Sequence, residues 1–208
     1  EDGIRDYKVT GVQTCALPIY TSLATIPEFD TGTASVKSKG EGIIAGVRVA
    51  LKIMQLVDPA AKVELLIPDG SSVVNGSEIM KIAGNTRSLL KAERLILNCM
   101  QRMSGIATKT SHLVSLISGT SAILLDTRKT TPNFRLFEKL AVSIGGGSNH
   151  RFGLFDMILI KDNHVDASGG IEKAIDGANA YLGKTGKQLK IEIEVRSLTE
   201  LDQVLKHG

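Results

Sequence analysis

The first part of the chain mixes strand-like and helix-like patterns. Apolar and polar residues alternate over Thr33–Lys39, which is typical of a half-buried strand. Apolar residues recur every three or four positions over residues 45–57, and this spacing predicts a helix that Pro59 ends. Val63–Ile67 and Glu78–Ile82 have the length and composition of further strands. We therefore predict a small α+β unit in this region.

The rest of the chain becomes helical and then alternates strands with helices. Apolar stripes predict one helix over residues 86–103 and a second over residues 106–117. Three strand-sized segments follow, each succeeded by a helical pattern: Ala122–Lys129, Met157–Lys161 and Leu189–Val195. Such repeated units predict a parallel sheet. Because a closed eight-stranded barrel needs about 200–250 residues, three units form either a small open sheet or part of a truncated barrel.

Individual residues indicate where two of the later helices begin. Thr131 followed by Pro132 is typical of an N-cap and a first helical position, so we predict a helix start there. Ser197 and Glu200 have the spacing of a capping box, which predicts the start of the last helix.

Composition narrows the class of protein. The 208 residues are 42% hydrophobic and 23% charged, with a formal net charge of +3, which excludes a disordered chain. No apolar run reaches the roughly 18 residues of a membrane span, so we expect no membrane association. An aromatic content of 4% without a basic run does not favour nucleic-acid binding.

The first residues of the chain resemble a sequence that does not come from a protein. Val9–Ile19 matches the in-frame translation of a sequencing-library adapter, so we interpret residues 1–19 as non-native and exclude them from the fold. This exclusion removes Cys15 and leaves Cys99, which lies on the apolar stripe of its predicted helix. A single core thiol is typical of a reducing compartment, and we expect the cytoplasm.

Positively charged residues follow the predicted parallel strands. Arg128 and Lys129 end the first strand, and Lys161 ends the second. Ligands of βα folds bind at these carboxyl ends of strands. Together with Arg151 and with Arg94 on the preceding helix, these cations indicate a small polyanionic ligand. The alternative is that they are solvated charges at strand ends, with Lys161 extending its ammonium out of the sheet.

The third predicted strand has one charged face. Its apolar residues alternate with Lys190, Glu192 and Glu194, and helices outside a parallel sheet would cover the apolar face. Glu194, and Asp126 at the end of the first strand, are candidates for holding a sugar hydroxyl or Mg²⁺. Glu192 is also explained as a salt-bridge partner inside the sheet.

Two further features are ambiguous. The backbone amides of Gly145–Gly147 are suited to an anion, but these glycines equally suit the end of the preceding helix. His164 is either a contact in the site or a residue that hydrogen-bonds its own loop.

Four segments in a fixed order resemble one known family. They are Glu93–Leu95 with Asn98 and Ser104–Thr108, then Asp126–Pro132, Gly145–Arg151 and Lys161–His164. From about Thr21 to Gly208, the sequence closely resembles quinolinate phosphoribosyltransferases, the carboxylating nicotinate-nucleotide pyrophosphorylases. The resemblance implies an incomplete α+β N-terminal domain (20–93), followed by a truncated α/β barrel of the type II phosphoribosyltransferase kind (94–208) that contains its first three βα units.

The resemblance also implies an activity. The family transfers phosphoribosyl from phosphoribosyl pyrophosphate to quinolinate with decarboxylation, which gives nicotinate mononucleotide, pyrophosphate and CO₂ in NAD biosynthesis. It works with Mg²⁺ and as a homodimer. Quinolinate and phosphoribosyl pyrophosphate are therefore the expected partners of the parent protein.

The resemblance assigns the quinolinate side of the site. Arg128, His150 and Arg151 would hold the two carboxylates, and Thr127 would line the pocket. Arg94 would reach into the site of the neighbouring subunit.

The ribose and pyrophosphate side is assigned in the same way. Lys161 and Glu194 would serve this side, and Lys129 the region that both substrates share; these three are the expected catalytic residues. The metal ligands stay unassigned, because the acidic residue that the family places on the metal side would lie beyond Gly208.

Three other interpretations stay open at this point. One is a relative of the same fold linked to molybdenum transport, and another is a barrel lyase that forms a Schiff base through Lys161. The third is a non-enzymatic anion-binding fragment. We expect this 208-residue chain by itself to be inactive.

Overall fold

Helices and strands alternate along the chain in the computed structural model, which describes residues 19–207. The helices are α1 (Tyr20–Thr25), α2 (Val47–Val57), α3 (Thr86–Leu116), α4 (Arg135–Ile144), α5 (Asp162–Ser168), α6 (Ile171–Thr185) and α7 (Leu198–His207). The strands are β1 (Thr31–Lys37), β2 (Gly42–Ile43), β3 (Lys62–Leu65), β4 (Ser72–Val73), β5 (Glu78–Asn85), β6 (Ile158–Ile160) and β7 (Ile191–Ile193). Over the described range, no helix combines the length and the apolar character that a membrane span needs.

Two compact units make up the chain, one ending at Asn149 and the other beginning at His150. The boundary predicted between residues 93 and 94 lies inside the continuous helix α3. The assignment of domains to 20–93 and 94–208 therefore stays a prediction. The adapter-like segment, except for Ile19, lies outside the described residues.

The first unit contains an antiparallel sheet in the order β1-β5-β3 and a short β2-β4 pair. In the central strand β5, Ile82 lies opposite Ala34 of β1 and Val63 of β3. Ile53 and Met54 of α2 are buried in the core that the sheet and α3 share. These elements confirm the mixture of strands and helix that the apolar spacing predicts here.

A single helix, α3, covers the segment where the sequence predicts two. The helix continues through Ser104 and Gly105 because side chains on either side of the glycine accept hydrogen bonds from backbone N–H groups of the segment just before α2. Ser104 Oγ accepts a hydrogen bond from the N–H of Ala45 (2.9 Å), and Thr108 Oγ1 accepts one from the N–H of Ile43 (2.9 Å). These tertiary contacts outweigh the low helix propensity of glycine.

Helix α4 begins later than the sequence predicts. Thr131 and Pro132 belong to a turn in which the N–H of Phe134 donates to the carbonyl of Thr131 (3.0 Å), and the helix starts at Arg135. The Thr131 hydroxyl donates to Glu138 instead of capping the helix (2.8 Å). A contact with a side chain one turn inside the helix thus replaces the predicted local cap.

The first predicted parallel strand, Ala122–Lys129, does not form a strand. It makes one isolated parallel bridge, between Leu125 and Ser148, and Ile123 is 70% exposed. A strand needs a neighbour along most of its length to form a ladder, and this segment has one at a single residue. Parallel pairing within residues 19–207 is limited to this bridge and to β6-β7, so the predicted barrel is not confirmed.

The second unit pairs β6 with β7 in parallel, with Leu159 opposite Glu192. Ile191 and Ile193 of β7 pack against the apolar cluster of α5 and α6, which includes Val165. Glu192 of β7 therefore faces the other way, because side chains alternate along a strand. This confirms the predicted division of the strand into an apolar and a charged face.

The last helix, α7, starts where the capping-box spacing predicts. The N–H of Glu200 donates to Ser197 Oγ (3.2 Å), but the Glu200 carboxylate accepts from the N–H of Arg196 (2.6 Å) and not from Ser197. Hydrogen bonds from the backbone and then the side chain of Arg196 lower the pKa of Glu200.

Candidate active site

The loop of residues 126–131 carries three of the predicted site residues. Arg128 is half-buried, and its Nε atom is buried with no hydrogen-bond partner in the described part of the chain. Buried polar atoms are rarely left unsatisfied, so this nitrogen indicates a place for an anion. The Thr127 hydroxyl accepts a hydrogen bond from the N–H of Lys129 (3.1 Å), and the side chain of Lys129 is exposed.

Asp126, at the start of this loop, is engaged in a buried ion pair. Its carboxylate lies 2.5 Å from Nζ of Lys139, and the two side chains are only 7% and 3% exposed. With its amide oriented to satisfy its neighbours, Asn149 donates to Asp126 (2.7 Å) and accepts from Ser143 (3.0 Å). The sequence-based interpretation of Asp126 as a ligand for a sugar or for Mg²⁺ is therefore wrong, because its oxygens already have buried partners.

Glu138 of α4 holds the other end of the loop. Its carboxylate accepts from Nη2 of Arg102 (2.7 Å) and from the hydroxyl (2.8 Å) and N–H (3.1 Å) of Thr131. Burial alone would raise the pKa of Glu138, but the hydrogen bonds from Arg102 and Thr131 outweigh it and lower the pKa. The sequence analysis did not predict that Glu138 or Arg102 would contact this loop. The available signal was charged residues at helical spacing, Arg135, Glu138 and Lys139, directly after the loop.

We expect Glu138 to make stability dependent on pH. Its pKa is lower in the folded protein, so its contribution is present above the unfolded value of about 4.3 and is lost as the pH falls through the folded pKa. Glu138→Gln should therefore cost about 1–3 kcal/mol at pH 7 and progressively less in acid. Urea unfolding between pH 3 and pH 7 measures this difference. The exposed Glu64→Gln is the control, and an equal loss at every pH would contradict the prediction.

The glycines at 145–147 end helix α4. Of the two interpretations, helix end or anion-binding loop, the structure supports the helix end. The N–H groups of Gly145, Gly146 and Gly147 donate to carbonyls of Ala141, Ser143 and Val142, at 3.0, 3.1 and 3.0 Å. Because all three amides are already used, they are not available to an anion, and the anion-binding interpretation is wrong.

Gly145 is also required for the close approach of α4 to α3. A Cβ atom at this position would collide with the carbonyl of Ala107 and lie 2.8 Å from Cβ of Thr110. We expect Gly145→Ala to destabilise the protein by about 1–3 kcal/mol through overpacking, measured by urea unfolding. Gly183→Ala, in open space on α6, is the matched control and should be neutral or slightly stabilising. Equal stability of the two variants would contradict the prediction.

In the second unit, Lys161 and Glu194 meet at the carboxyl ends of β6 and β7. They follow Ile160 and Ile193, which are opposite each other in the parallel register. Nζ of Lys161 lies 2.8 Å from the carboxylate of Glu194, and their side chains are 41% and 52% exposed. The two residues thus form an accessible ion pair at the strand ends, where ligands of βα folds bind.

His150 contacts the charged side of β7. Its Nε2 atom is 2.7 Å from the carboxylate of Glu192, which is two residues before Glu194 on the strand. The sequence interpretation of Glu192 as a salt-bridge partner agrees with this contact. Glu192 of β7 and Glu194, which directly follows the strand, are therefore each beside a different basic group.

Arg151 and His164 occupy different surroundings. Arg151 is buried. Burial raises the pKa of nearby Asp156, but hydrogen bonds from the N–H groups of Phe152 and Gly153 outweigh it and lower the pKa, and the charge of Arg151 adds to this lowering. His164 Nδ1 accepts from the N–H of Lys161 (2.9 Å). This contact supports the interpretation of His164 as a residue that hydrogen-bonds its own loop.

The structure does not favour Lys161 as a Schiff-base lysine. Such lysines are activated in apolar pockets or beside other cations, whereas Lys161 is substantially exposed and paired with a carboxylate.

Arg94 is exposed on α3, one turn before an open groove of the first unit. The residues that line this groove lie along α3: Asn98, Gln101, Arg102, Gly105, Ile106 and Lys109. Arg94 is therefore accessible to another molecule from the same side of the helix.

The described residues do not form a metal site by themselves. Among residues 19–207, no three His, Cys, Asp or Glu side chains are placed to hold a metal ion together. The carboxylates of Asp126, Glu192 and Glu194 instead each lie beside a basic side chain, of Lys139, His150 and Lys161 respectively.

Comparisons with known proteins agree with this architecture. The family model of the quinolinate phosphoribosyl transferase N-terminal domain matches residues 20–104, and that of the C-terminal domain matches residues 106–208. A mitochondrial quinolinate phosphoribosyltransferase [decarboxylating] of Nicotiana tabacum is 46% identical over 188 residues, which are 90% of this chain and 53% of the relative. The chain thus spans about half the length of the curated relatives it matches.

Solved structures give the same result. NadC from Streptococcus pyogenes is 36% identical with a TM-score of 0.87, covering 96% of this chain and 71% of that one. The nicotinate-nucleotide pyrophosphorylase from Francisella tularensis is 40% identical with a TM-score of 0.84 over 96% of this chain and 71% of its own. The fold is that of type II phosphoribosyltransferases. Within that class, the chain belongs to the quinolinate phosphoribosyltransferase family.

Proposed function

We propose that the protein containing this chain transfers phosphoribosyl from phosphoribosyl pyrophosphate to quinolinate, with release of pyrophosphate and CO₂ and formation of nicotinate mononucleotide. The observation that carries the proposal is the buried Nε of Arg128, which has no hydrogen-bond partner among residues 19–207 and lies in a loop that also contains Lys129. Membership of the family and the word "decarboxylating" in the name of the tobacco relative support the same reaction.

Quinolinate is a dianion, and guanidinium groups match carboxylates in geometry as well as in charge. Arg128, His150 and Arg151 are proposed to hold its two carboxylates. Thr127 would line the pocket beside them, and Lys129 would serve the region shared by both substrates. Cationic side chains also attract the strongly negative phosphoribosyl pyrophosphate.

The chemistry requires little beyond positioning and charge. The ring nitrogen of quinolinate forms a bond to C1 of the ribose while the bond from C1 to the pyrophosphate oxygen breaks. Glu194 would stabilise the positive charge that develops on the sugar, and Lys161 would neutralise the leaving pyrophosphate. The cationic ring nitrogen then accepts electron density when the C2 carboxylate leaves as CO₂, and C2 takes up a proton.

Mg²⁺ is proposed as the ion that accompanies phosphoribosyl pyrophosphate. Mg²⁺ is commonly bound by substrate phosphates together with one or two carboxylates. Since residues 19–207 contain no cluster of metal ligands, we assign none of them to the ion.

We also propose a homodimer in which Arg94 acts in the site of the neighbouring subunit, which its exposed position on α3 permits. If so, Arg94→Ala and Arg128→Ala should each inactivate the full-length protein, whereas mixing the two variants should restore about a quarter of the activity. The restored fraction corresponds to the sites that receive both intact arginines. The mixture is assayed after reversible dissociation. No recovery from subunits that reassociate would contradict the proposal.

The cytoplasm is the compartment that we propose. The names of relatives from Nicotiana tabacum and Arabidopsis thaliana include "mitochondrial" and "chloroplastic". Fractionation of source cells with an antibody to this chain would distinguish the three locations.

The decisive experiment gives the full-length protein quinolinate labelled at the 2-carboxylate, phosphoribosyl pyrophosphate and Mg²⁺. The proposal expects labelled CO₂ and nicotinate mononucleotide in equal amounts. Nicotinate in place of quinolinate is the control, because it lacks the carboxylate that is lost. A folded protein that releases no CO₂ would overturn the proposal and leave the molybdenum-linked relative as the alternative to examine.

A further inference from the structure

Helix α4 presents a charged face to the loop that carries Arg128. This charged face of α4 consists of Arg135, Glu138 and Lys139, which lie on one side of the helix because they are spaced i, i+3 and i+4. None of the three is among the substrate-binding residues proposed above.

The charged face of α4 holds the loop at both ends. Lys139 pairs with Asp126, the first residue of the loop (2.5 Å). Glu138 accepts two hydrogen bonds from Thr131, the last residue, at 2.8 and 3.1 Å. The six-residue loop is thus closed onto a single helix.

Arg135 holds the middle of the loop. Its Nε donates to the Thr130 hydroxyl (3.1 Å), and its Nη2 donates to the carbonyl of Arg128 (3.4 Å). The backbone of Arg128 is therefore anchored directly, between the two anchored ends. Its side chain is left with a buried Nε that has no partner within the described residues.

The burial of this charged face needs an explanation. Glu138 and Lys139 are 8% and 3% exposed, and burying charges is costly even when they are paired. An apolar face would pack against the loop at lower cost, but it would not fix the loop through directional hydrogen bonds. A substrate-binding arginine benefits from such fixation, since small displacements of binding groups greatly reduce rates.

We propose that the charged face of α4 is a positioning element that fixes the 126–131 loop and so presents the guanidinium of Arg128 to a carboxylate of the substrate. The assignment of that carboxylate to quinolinate rests on the proposed function. Arg135, Glu138 and Lys139 contact the loop, and we place them as positioning residues that act through Arg128.

The test measures binding of phthalate to the full-length protein by calorimetry. Phthalate carries the two adjacent carboxylates of quinolinate on a ring without nitrogen, so it binds without being ribosylated. Four proteins form a double-mutant cycle: wild type, Glu138→Gln, Arg128→Ala and the double variant. Glu138→Gln preserves the shape of the side chain, and far-ultraviolet circular dichroism verifies that each variant is folded.

We expect Glu138→Gln to weaken phthalate binding about tenfold in the wild type and less than about twofold in the Arg128→Ala background. A purely structural role would weaken binding equally in both backgrounds. Equal effects, an unchanged affinity of Glu138→Gln, or no binding of phthalate by the wild type would overturn the proposal. Glu78→Gln, which also removes a hydrogen-bonded carboxylate of the first unit, is the matched control and should not change the affinity.

A second measurement does not depend on any ligand. Hydrogen exchange of the loop amides, including the N–H of Thr131, should be about tenfold faster in Glu138→Gln, while exchange in the β1-β5 pair stays unchanged. Unchanged loop exchange would also overturn the proposal. Failure of the wild type to release CO₂ from quinolinate would overturn the proposed function instead, because neither measurement here requires turnover.

Discussion

Arg128→Ala in the full-length protein is expected to lower kcat/KM for quinolinate by a factor of about 100 or more. The lost guanidinium would have formed a two-point contact with a carboxylate, worth about 3 kcal/mol of transition-state binding. The Nε of this residue is buried and has no hydrogen-bond partner among residues 19–207, and charge–charge interactions are stronger where groups are shielded from water. Initial rates over a range of quinolinate concentrations give the value.

The control for this experiment is Arg48→Ala, which removes an exposed arginine of α2 in the same unit. Its kcat/KM should equal that of the wild type, and both variants should unfold at wild-type temperatures. If Arg128→Ala kept more than about a third of the wild-type kcat/KM, Arg128 would not be a principal substrate ligand.

Lys139→Met is expected to lower the free energy of unfolding by about 3–5 kcal/mol, the usual cost of leaving one partner of a buried ion pair alone. The carboxylate of Asp126 would remain 7% exposed without its cation, with the amide of Asn149 as a remaining hydrogen-bond donor. Urea unfolding at pH 7 measures the change. The double variant Asp126→Asn/Lys139→Met should recover much of the loss, because it removes both charges.

Lys52→Met, at an exposed position of α2, is the matched control and should change the stability by no more than about 0.5 kcal/mol. A loss below about 1 kcal/mol for Lys139→Met would show that the buried pair contributes little. A double variant no more stable than Lys139→Met would show that the uncompensated charge is not the cause of the loss.

The two experiments separate two roles within one short loop. The role of Arg128 is tested by the kcat/KM of its variant, whereas the roles of Asp126 and Lys139 are tested by the free energy of unfolding. The sequence places Asp126 and Arg128 two residues apart and describes both as strand-end charges. The structure distinguishes them, because Asp126 has a buried partner, whereas the buried Nε of Arg128 has none in the part of the chain that the structure describes.

Sequence patterns predicted much of the secondary structure and the order of the site motifs. The alternation over Leu189–Val195 correctly separated apolar residues that pack against α5 and α6 from the acidic residues Glu192 and Glu194. Such a pattern is predictive because burial of one face of a strand requires every second residue to be apolar. The helical stripe around Cys99 was predictive for the equivalent reason, and Cys99 is buried in the core.

The wrong predictions concern residues whose hydrogen-bond partners are not revealed by the sequence pattern from which each prediction was made. The break in α3 at Gly105 is prevented by Ser104 and Thr108, which bind backbone about 60 residues earlier (|i−j| of 59 and 65). The helix start at Thr131 is displaced because the Thr131 side chain binds Glu138 instead. The apolar spacing along α3 does not report the first contact, and the N-cap pattern of Thr131 and Pro132 does not show that Glu138 competes for the Thr131 hydroxyl.

The sequence by itself determined the family, the alternation of strands and helices, and the set of charged residues available for an anionic ligand, because residue type and spacing are local properties. Only the tertiary structure decided which of these charges are already neutralised, which glycine amides are already used, and that α4 holds the loop of Arg128. Those outcomes depend on which residues the fold brings within hydrogen-bond distance, and burial makes each such pairing, or its absence, energetically significant.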